Sequence, residues 1–188
     1  PISPHLLAKH VNASVINAGD GINEHPTQAL LDFFTMQETF GGFKGLNVTI
    51  IGDIYHSRVA RSNIFGLTKL GANVKVFGPN TLMPIGIENT GASVAKDLQS
   101  AIDGADVVMA LRIQRERQKG GLFPSVREFN KYFGLDDAIM KAAAKGALVM
   151  HPGPINRGVE INSSVADSEA SKITEQVTNG VAVRMALL

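Results

Sequence analysis

The spacing of apolar residues along the chain alternates between a pattern typical of buried strands and one typical of helices. From residue 44 onward, short continuous apolar runs are separated by stretches with helical periodicity. The predicted strands are residues 46–52, 73–79, 105–114 and 147–154, and the predicted helices are residues 57–71, 94–104 and 135–146. Apolar strands joined by helical crossovers predict an α/β fold with an open, mostly parallel sheet and helices on both faces.

Three further elements lie outside this alternation. Residues 14–19, SVINAG, form a short apolar run before a turn-rich loop, so we predict a strand there. Residues 27–40 carry apolar side chains at helical spacing, with Pro26 before them and a pair of glycines after them, which predicts a helix. Residues 169–188 are predicted to form one long apolar-striped helix or a pair of helices.

Composition and charge exclude several kinds of site. The chain has no cysteine, and its five histidines lack metal-binding spacings, so we expect no disulfide, no metal and no cofactor. A formal charge of +1 gives no basic footprint for nucleic acid. No apolar run approaches the length of a membrane helix, and the first residues do not resemble a signal peptide. We therefore expect no membrane partner and a cytoplasmic location.

Polar clusters follow three of the predicted strands. They are GDIYHSR at residues 52–58, ALRIQRER at residues 110–117 and HPGPINRG at residues 151–158. In open parallel sheets, ligands bind outside the carboxyl ends of the strands. We therefore expect these clusters to meet at one edge of the sheet.

Arg58 lies in the first turn of the predicted helix 57–71. The positive end of a helix favours anions and disfavours a cation, so this position argues for a ligand-binding role, with an exposed arginine on the helix face as an equal alternative. Arg61, one turn later, is predicted to form an ion pair. Gly52 is the only glycine of this cluster, so the GxGxxG pattern is absent, which disfavours a nucleotide-binding domain as the alternative.

Arg112 and Gln114 lie on the same side of an extended chain, because side chains alternate along a strand. A planar guanidinium can bind a carboxylate with two hydrogen bonds, and an amide two residues later can add a third contact. Arg112 and Gln114 are therefore candidate carboxylate ligands. Arg115 and Arg117 are predicted to belong to an exposed charged loop.

His25 immediately precedes the helical stretch, and Gln28 lies one turn later. His25 could donate a hydrogen bond to a carbonyl oxygen and Gln28 could reach the same ligand, with a helix cap or surface residue as the alternative for His25. The HPGP turn is rigid because Pro152 and Pro154 flank Gly153, and such a turn could aim backbone carbonyls at a ligand. An ordinary turn is the alternative, and the Gly153–Pro154 bond is a candidate for the cis isomer.

Five motifs together resemble the catalytic chains of the aspartate carbamoyltransferases. They are residues 17–32, 52–63, 111–117, 151–161 and 176–186, and they occur in the order that the family has. The related ornithine carbamoyltransferases share the HPTQ motif, but they carry a cysteine in an HCLP motif where this chain has HPGP. Ornithine carbamoyltransferase is therefore the weaker alternative.

The resemblance implies transfer of the carbamoyl group of carbamoyl phosphate to L-aspartate, an early step of pyrimidine biosynthesis. It implies that Arg58 and Arg112 hold the aspartate carboxylates, with Gln114 assisting. His25 would polarise the carbamoyl carbonyl, and Gln28 would contact the carbamoyl amide.

The resemblance also assigns roles to the HPGP turn and the last helix. Backbone carbonyls around Pro152, Gly153 and Pro154 would orient the carbamoyl amide and the attacking amine. Arg184 would support the site from the last helix without touching a substrate.

The resemblance implies a division of the chain into three parts. Residues 1–42 would be a remnant of a carbamoyl-phosphate domain with a linking helix, residues 43–170 a Rossmann-like aspartate-binding domain, and residues 171–188 a helix that packs toward the carbamoyl-phosphate domain. The family's Ser-Thr-Arg-Thr phosphate-binding segment has no counterpart here, and the chain opens on Pro1. We therefore expect a truncated catalytic subunit that is inactive alone, with a non-catalytic aspartate-domain module as the alternative. The family implies a trimer, with a regulatory chain or a dihydroorotase as further partners.

Overall fold

The computed structural model describes residues 1–113 and 125–188. The candidate carboxylate ligand Gln114 lies outside the described residues, and so does the predicted charged loop at Arg115 and Arg117.

A five-stranded parallel sheet forms the centre of the molecule. The strands are β1 (Asn47–Ile51), β2 (Asn73–Phe77), β3 (Ser93–Val94), β4 (Val107–Ala110) and β5 (Leu148–Met150). Their order across the sheet is β3-β2-β1-β4-β5, and every pair is parallel. In the centre, Val48 of β1 pairs with Val74 of β2 on one side and with Val107 of β4 on the other. The predicted α/β fold with a parallel sheet is confirmed.

Helices cover both faces of this sheet. The described α-helices are α1 (Ser3–Ala8), α2 (Pro26–Phe40), α3 (Arg58–Lys69), α4 (Leu98–Ile102), α5 (Val126–Phe133), α6 (Asp137–Met140), α7 (Ser163–Ala166) and α8 (Ile173–Leu187). Side chains alternate across the strands, so Ile50 packs into a core with Ile64 and Leu67 of α3, whereas Ile51 packs into a second core with Ile102 of α4. Burial on both faces explains why the strands appear in the sequence as continuous apolar runs.

Buried hydrogen bonds hold α2 between α3 and α8. Asp32 of α2 accepts hydrogen bonds from Asn63 of α3 at 2.8 Å and from Gln176 of α8 at 2.8 Å. One turn later, Asn179 of α8 donates to Thr35 of α2 at 3.0 Å. These contacts fix the position of α2, and therefore of the residues at its amino end, relative to the sheet.

Several predicted elements differ from the structure. Residues 14–19 form no strand, because no strand of the described sheet runs beside them to accept their backbone hydrogen bonds, and Ile16 is 42% exposed. The predicted helix 94–104 starts later than expected, at Leu98. Its first predicted residue, Val94, instead forms β3 together with Ser93. The predicted helix 135–146 is regular only over α6, and α5 and α7 were not predicted.

The last helix carries an exposed apolar stripe. Val177, Val181 and Met185 of α8 are 69%, 61% and 71% exposed. Within the described residues, no helix has both the length and the apolar character needed to cross a membrane.

Candidate functional site

A cavity of about 210 Å³ lies at the carboxyl ends of the central strands. It is lined by His25, Gln28, Ser57, Arg58, Val59, Leu111, Arg112, Pro152, Gly153 and Pro154. The start of α2 and the segments that follow β1, β4 and β5 thus meet here, as the polar clusters predicted. Every candidate ligand residue in the described part of the chain reaches this cavity except Arg184.

Arg58 is the first residue of α3, directly after the loop that follows β1. The helix begins there because the side chain of Ser57 accepts a hydrogen bond from the Ala60 N–H at 3.0 Å, as an N-cap does. The Arg58 guanidinium lies against the backbone of Gly19, where an added Cβ would come within 2.6 Å of Cζ. A fixed cation next to the positive end of α3 favours an anionic ligand in the cavity.

Arg112 enters the cavity from the neighbouring strand. It lies two residues after β4, between the buried side chains of Leu111 and Ile113. Because β4 pairs with β1, the segments that carry Arg112 and Arg58 leave adjacent strands at the same edge of the sheet. Two guanidinium groups at one cavity can bind two carboxylates of a single ligand.

His25 occupies the N-cap position of α2, but its side chain makes no capping hydrogen bond. Its backbone N–H donates to the Ser62 hydroxyl at 2.9 Å, which ties it to α3. Burial, together with the positive charges of Arg58 and Arg184, lowers the pKa of His25 to about 4. The imidazole is therefore neutral near pH 7 and can donate a single N–H to a carbonyl oxygen.

The loop before His25 is held by Asp20. Its carboxylate accepts hydrogen bonds from the backbone N–H of Glu24 at 2.7 Å and from the side chain of Asn23 at 3.0 Å. Burial alone would raise the pKa of Asp20, but these bonds and one from Ile2 hold it well below its ordinary range. The loop thus depends on an ionised carboxylate.

Gln28 is buried and directs its amide nitrogen to Asp32, one turn along α2, at 3.0 Å. Burial raises the pKa of Asp32 to about 6, and hydrogen bonds from Asn63, Gln176 and Gln28 partly oppose that rise. No role for Asp32 follows from the sequence, although it ends the family motif at residues 17–32. Its spacing of four residues from Gln28 places both side chains on one face of α2.

The turn at residues 152–154 offers hydrogen-bond acceptors and no free backbone N–H donor. Pro152 and Pro154 have no N–H, and the Gly153 N–H donates to Nδ1 of His151 at 2.9 Å. His151 must therefore carry its proton on Nε2, which lies 3.1 Å from the buried Glu160 carboxylate. The Gly153–Pro154 bond is cis, as the sequence suggested. Glu160 lies in the family motif at residues 151–161, but its role could not be predicted, because its partner lies nine residues away across a loop.

Arg184 lies beside a neighbouring cavity of about 200 Å³, which shares Gln28, Pro152 and Gly153 with the first. Its guanidinium donates to the Gly180 carbonyl within α8 at 2.9 Å. Its charge also contributes to the lowered pKa of His25. The supporting role assigned to Arg184 stays a prediction.

Metal binding finds no support in residues 1–113 and 125–188, which contain no cluster of three or more histidine, aspartate or glutamate side chains suited to a metal ion.

Comparison with known proteins finds similar curated proteins. The chain is 68% identical over 186 residues to a protein named aspartate carbamoyltransferase catalytic subunit from Acetivibrio thermocellus, a match that covers 99% of this chain and 60% of the relative. A protein of the same name from Ruminiclostridium cellulolyticum is 66% identical, with 99% and 59% covered. The chain thus spans about 60% of the length of the curated relatives it matches.

Solved structures with the same fold include an ornithine carbamoyltransferase from Thermus thermophilus, with a TM-score of 0.85 at 26% identity over 98% of this chain and 61% of that one. An aspartate transcarbamoylase from Trypanosoma cruzi in complex with phosphate has a TM-score of 0.80 at 28% identity, with 98% and 64% covered.

Two family models match the chain. The one described as "Aspartate/ornithine carbamoyltransferase, carbamoyl-P binding domain" matches residues 3–38. The one described as "Aspartate/ornithine carbamoyltransferase, Asp/Orn binding domain" matches residues 44–188. The chain belongs to the aspartate/ornithine carbamoyltransferase family.

Proposed function

We propose that this chain supplies the aspartate-binding part, and one side of the carbamoyl-phosphate site, of an aspartate carbamoyltransferase. The observation that carries the proposal is the cavity at the sheet edge. Arg58 and Arg112 line one part of it, a neutral His25 lines another, and the turn at residues 152–154 adds carbonyl acceptors. The two guanidinium groups suit a dicarboxylate, whereas the acceptor-only turn suits a ligand with N–H groups.

The proposed reaction assigns one task to each group. Arg58 and Arg112 bind the two carboxylates of L-aspartate and so place its amine beside the carbamoyl carbon. The carbonyl oxygens of the turn accept hydrogen bonds from the attacking amine and from the carbamoyl amide. His25 donates to the carbonyl oxygen as negative charge develops there, before phosphate leaves. Positioning and preorganised electrostatics provide the rate enhancement, without a covalent intermediate.

Ornithine carbamoyltransferase is the second candidate within the family. Ornithine has one carboxylate and a side-chain ammonium group, so it does not match a cavity lined by two arginines. The relatives from Acetivibrio thermocellus and Ruminiclostridium cellulolyticum, both named for aspartate, favour the same choice.

The wider assignment follows from the same proposal. We infer that residues 1–42 belong to a carbamoyl-phosphate domain, that residues 43–170 form the aspartate-binding domain, and that residues 171–188 pack toward the carbamoyl-phosphate domain. The whole enzyme would be a cytoplasmic trimer of the pyrimidine pathway, with a regulatory chain or a dihydroorotase as a further partner. The two family models, which match residues 3–38 and 44–188, support a division of the chain near residue 43.

Catalysis by the 188-residue chain alone is not expected. A phosphate dianion needs several aligned donors, but the proposal assigns Arg58 and Arg112 to the carboxylates of aspartate, and the turn that lines the cavity offers only acceptors. The non-catalytic alternative, an aspartate-domain module that only binds its ligand, would show the same lack of turnover in isolation.

The test compares two proteins in one assay. The first is the 188-residue chain, and the second is a completed enzyme in which the chain is joined to the part of the Acetivibrio thermocellus relative that lies outside the match. Both are incubated with carbamoyl phosphate and L-aspartate, and carbamoyl-aspartate is measured. We expect turnover of about 1 per second or more for the completed enzyme only. Turnover with ornithine in place of aspartate would support the second candidate, and no turnover in the completed enzyme would support the binding module.

A further inference from the structure

Asp32 is a fully buried carboxylate that joins three elements around the cavity. Its Oδ1 accepts hydrogen bonds from the amide nitrogens of Gln28 at 3.0 Å and Gln176 at 2.8 Å. Its Oδ2 accepts one from Asn63 of α3 at 2.8 Å. All three donors are neutral amides, and each belongs to a helix that carries or supports residues of the cavity.

The carboxylate determines which end of the Gln28 amide faces the ligand. An ionised carboxylate can only accept hydrogen bonds, so the Gln28 nitrogen must stay on the Asp32 side. Rotating the amide by half a turn would place its oxygen against a negatively charged oxygen. The Gln28 oxygen is therefore the end available as an acceptor at the cavity, which Gln28 lines.

The same carboxylate acts on the turn through α8. The Gln176 side-chain nitrogen donates a hydrogen bond to Asp32. The Gln176 oxygen is therefore available to accept a hydrogen bond from the backbone N–H of His151, at 2.9 Å. His151 precedes Pro152, Gly153 and Pro154, which line the cavity. Loss of the carboxylate would release the Gln176 amide, and with it a hydrogen bond at the base of the turn.

The Asp32 carboxylate also determines the orientation of the Asn63 side-chain amide. The Asn63 nitrogen donates both to Asp32 and to the Val59 carbonyl at 3.1 Å, while its buried oxygen has no hydrogen-bond partner among the described residues. Leaving a buried carbonyl unpaired is unfavourable, yet the amide keeps this orientation. A contact that served only to pack helices could be apolar at lower cost.

We propose that Asp32 is a positioning residue for carbamoyl transfer, an inference that rests on the proposed function. It holds the Gln28 oxygen toward the N–H groups of the carbamoyl moiety, and through Gln176 it holds the acceptor-only turn toward the same moiety. Asp32 thereby makes the site selective for a carbamoyl group over an acyl group of the same shape that lacks N–H.

The first test uses the 188-residue chain and does not depend on turnover. Solvent exchange of the Gln28 side-chain amide protons is measured by NMR in the parent, in Asp32→Ala and in Thr35→Val. Thr35 is the matched control, because it is also buried on α2 and also bonded to α8, but it does not contact Gln28. Asp32→Ala should accelerate this exchange by about tenfold or more, and Thr35→Val should leave it within about twofold. Equal exchange in the parent and Asp32→Ala would overturn the proposal.

The second test uses the completed enzyme and compares carbamoyl phosphate with acetyl phosphate, in which a methyl group replaces the NH₂. The kcat/KM for carbamoyl phosphate divided by that for acetyl phosphate should fall by about tenfold or more in Asp32→Ala. In Thr35→Val this ratio should stay within about twofold of the parent. A role in folding alone would lower both values by the same factor and would overturn the selectivity claim. An inactive parent would refute the proposed function, and the exchange measurement would still decide whether Asp32 holds Gln28.

A double variant covers the case in which Asp32→Ala does not fold. Asp32→Asn combined with Asn63→Asp exchanges the carboxylate and the amide but keeps an oxygen toward Gln28 and Gln176. This variant should retain the substrate ratio within about threefold of the parent. A folded double variant that loses the ratio would show that the orientation of these amides does not control selectivity.

Discussion

Gly19 and Arg58 are packed so closely that no side chain fits between them. The guanidinium occupies the space that a Cβ at Gly19 would need, with Cζ and Nη1 both 2.6 Å from that position, and the φ angle of Gly19 is +129°. Gly19→Ala should therefore displace the guanidinium from the cavity. We expect binding of succinate, a dicarboxylate without an amine, to weaken by about tenfold or more in calorimetry, a displacement worth over 1 kcal/mol.

Gly41→Ala is the control for the loss of stability that an alanine causes in the left-handed region, without any displacement of Arg58. Gly41 has a φ angle of +71°, and an added Cβ there would have no atom within 4 Å. The control should lose about 1 kcal/mol of stability and keep its affinity for succinate. Equal affinities in the two variants would show that Arg58 does not bind the dicarboxylate.

Arg112 provides a second test of the dicarboxylate assignment. In the completed enzyme, Arg112→Ala should cost about 2–5 kcal/mol of transition-state stabilisation, because a bidentate charged contact on the reacting substrate is lost. The measurement is kcat/KM for aspartate. Arg61→Ala is the matched control, since Arg61 lines a separate cavity beside Glu24. A kcat/KM of Arg112→Ala within twofold of the parent would show that Arg112 does not bind the substrate.

The pKa of His25 predicts a dependence of stability on pH. The pKa falls from 6.5 in the unfolded chain to about 4 in the folded state, so between these values the unfolded chain binds a proton that the native state refuses. Stability therefore decreases as the pH is lowered from about 6.5 to about 4, by about 1–2 kcal/mol for this group, because solvent screens a partly exposed imidazole. In urea titrations, the unfolding free energy of the parent minus that of His25→Asn should decrease by that amount as the pH is lowered across this range.

A constant difference across the same range would contradict this cause. It would mean that the imidazole is no harder to protonate in the folded state than in the unfolded chain.

In the completed enzyme, His25→Ala should lower the rate per bound substrate without unfolding the protein. A loss of stability with an unchanged rate would assign His25 a structural role instead.

Glu160 predicts a cost in stability at the turn. It accepts hydrogen bonds from Nε2 of His151 at 3.1 Å and from the Asn156 N–H at 2.6 Å, and both its carboxylate and His151 are buried. Glu160→Ala leaves one buried donor, Nε2 of His151, and one partly buried donor, the Asn156 N–H, unpaired and should cost about 2–3 kcal/mol in urea unfolding. Glu169→Ala, at an exposed position, should change stability by less than about 0.5 kcal/mol. Similar values for the two variants would show that the turn does not depend on Glu160.

The sequence predicted best what depends on local pattern. The strands β1 and β2 and the helices α2 and α3 match their predicted ranges to within a few residues, because burial on both faces of a parallel sheet produces continuous apolar runs. The apolar run at residues 14–19 misled the prediction, since an apolar run shows that a strand is possible but not that a partner strand lies beside it.

The same distinction applies to the site. Arg58 and Arg112 could be found because each follows a strand, and the topology then brings them together. Asp32 and Glu160 could not be found, because their importance depends on partners that only the fold supplies. The Gln176 amide that Asp32 accepts lies 144 residues away in the chain. Asp32 stands between Leu31 and Phe33 in the sequence, and this local pattern does not tell which partners a buried acid has.

The parallel pairing of β1 with β4 has a further consequence for the length of the ligand. The segments that carry Arg58 and Arg112 leave two adjacent strands at the centre of the sheet, where the backbone spacing between strands is about 4.8 Å and cannot change without breaking ladder hydrogen bonds. Arg58 is the first residue of α3, after the loop that follows β1, and Arg112 lies two residues beyond β4, so the strand spacing sets where their backbones start from. Under the proposed function, glutamate, with one more methylene than aspartate, must therefore be accommodated by bending of the ligand or by the arginine side chains, and not by a change in the strand spacing.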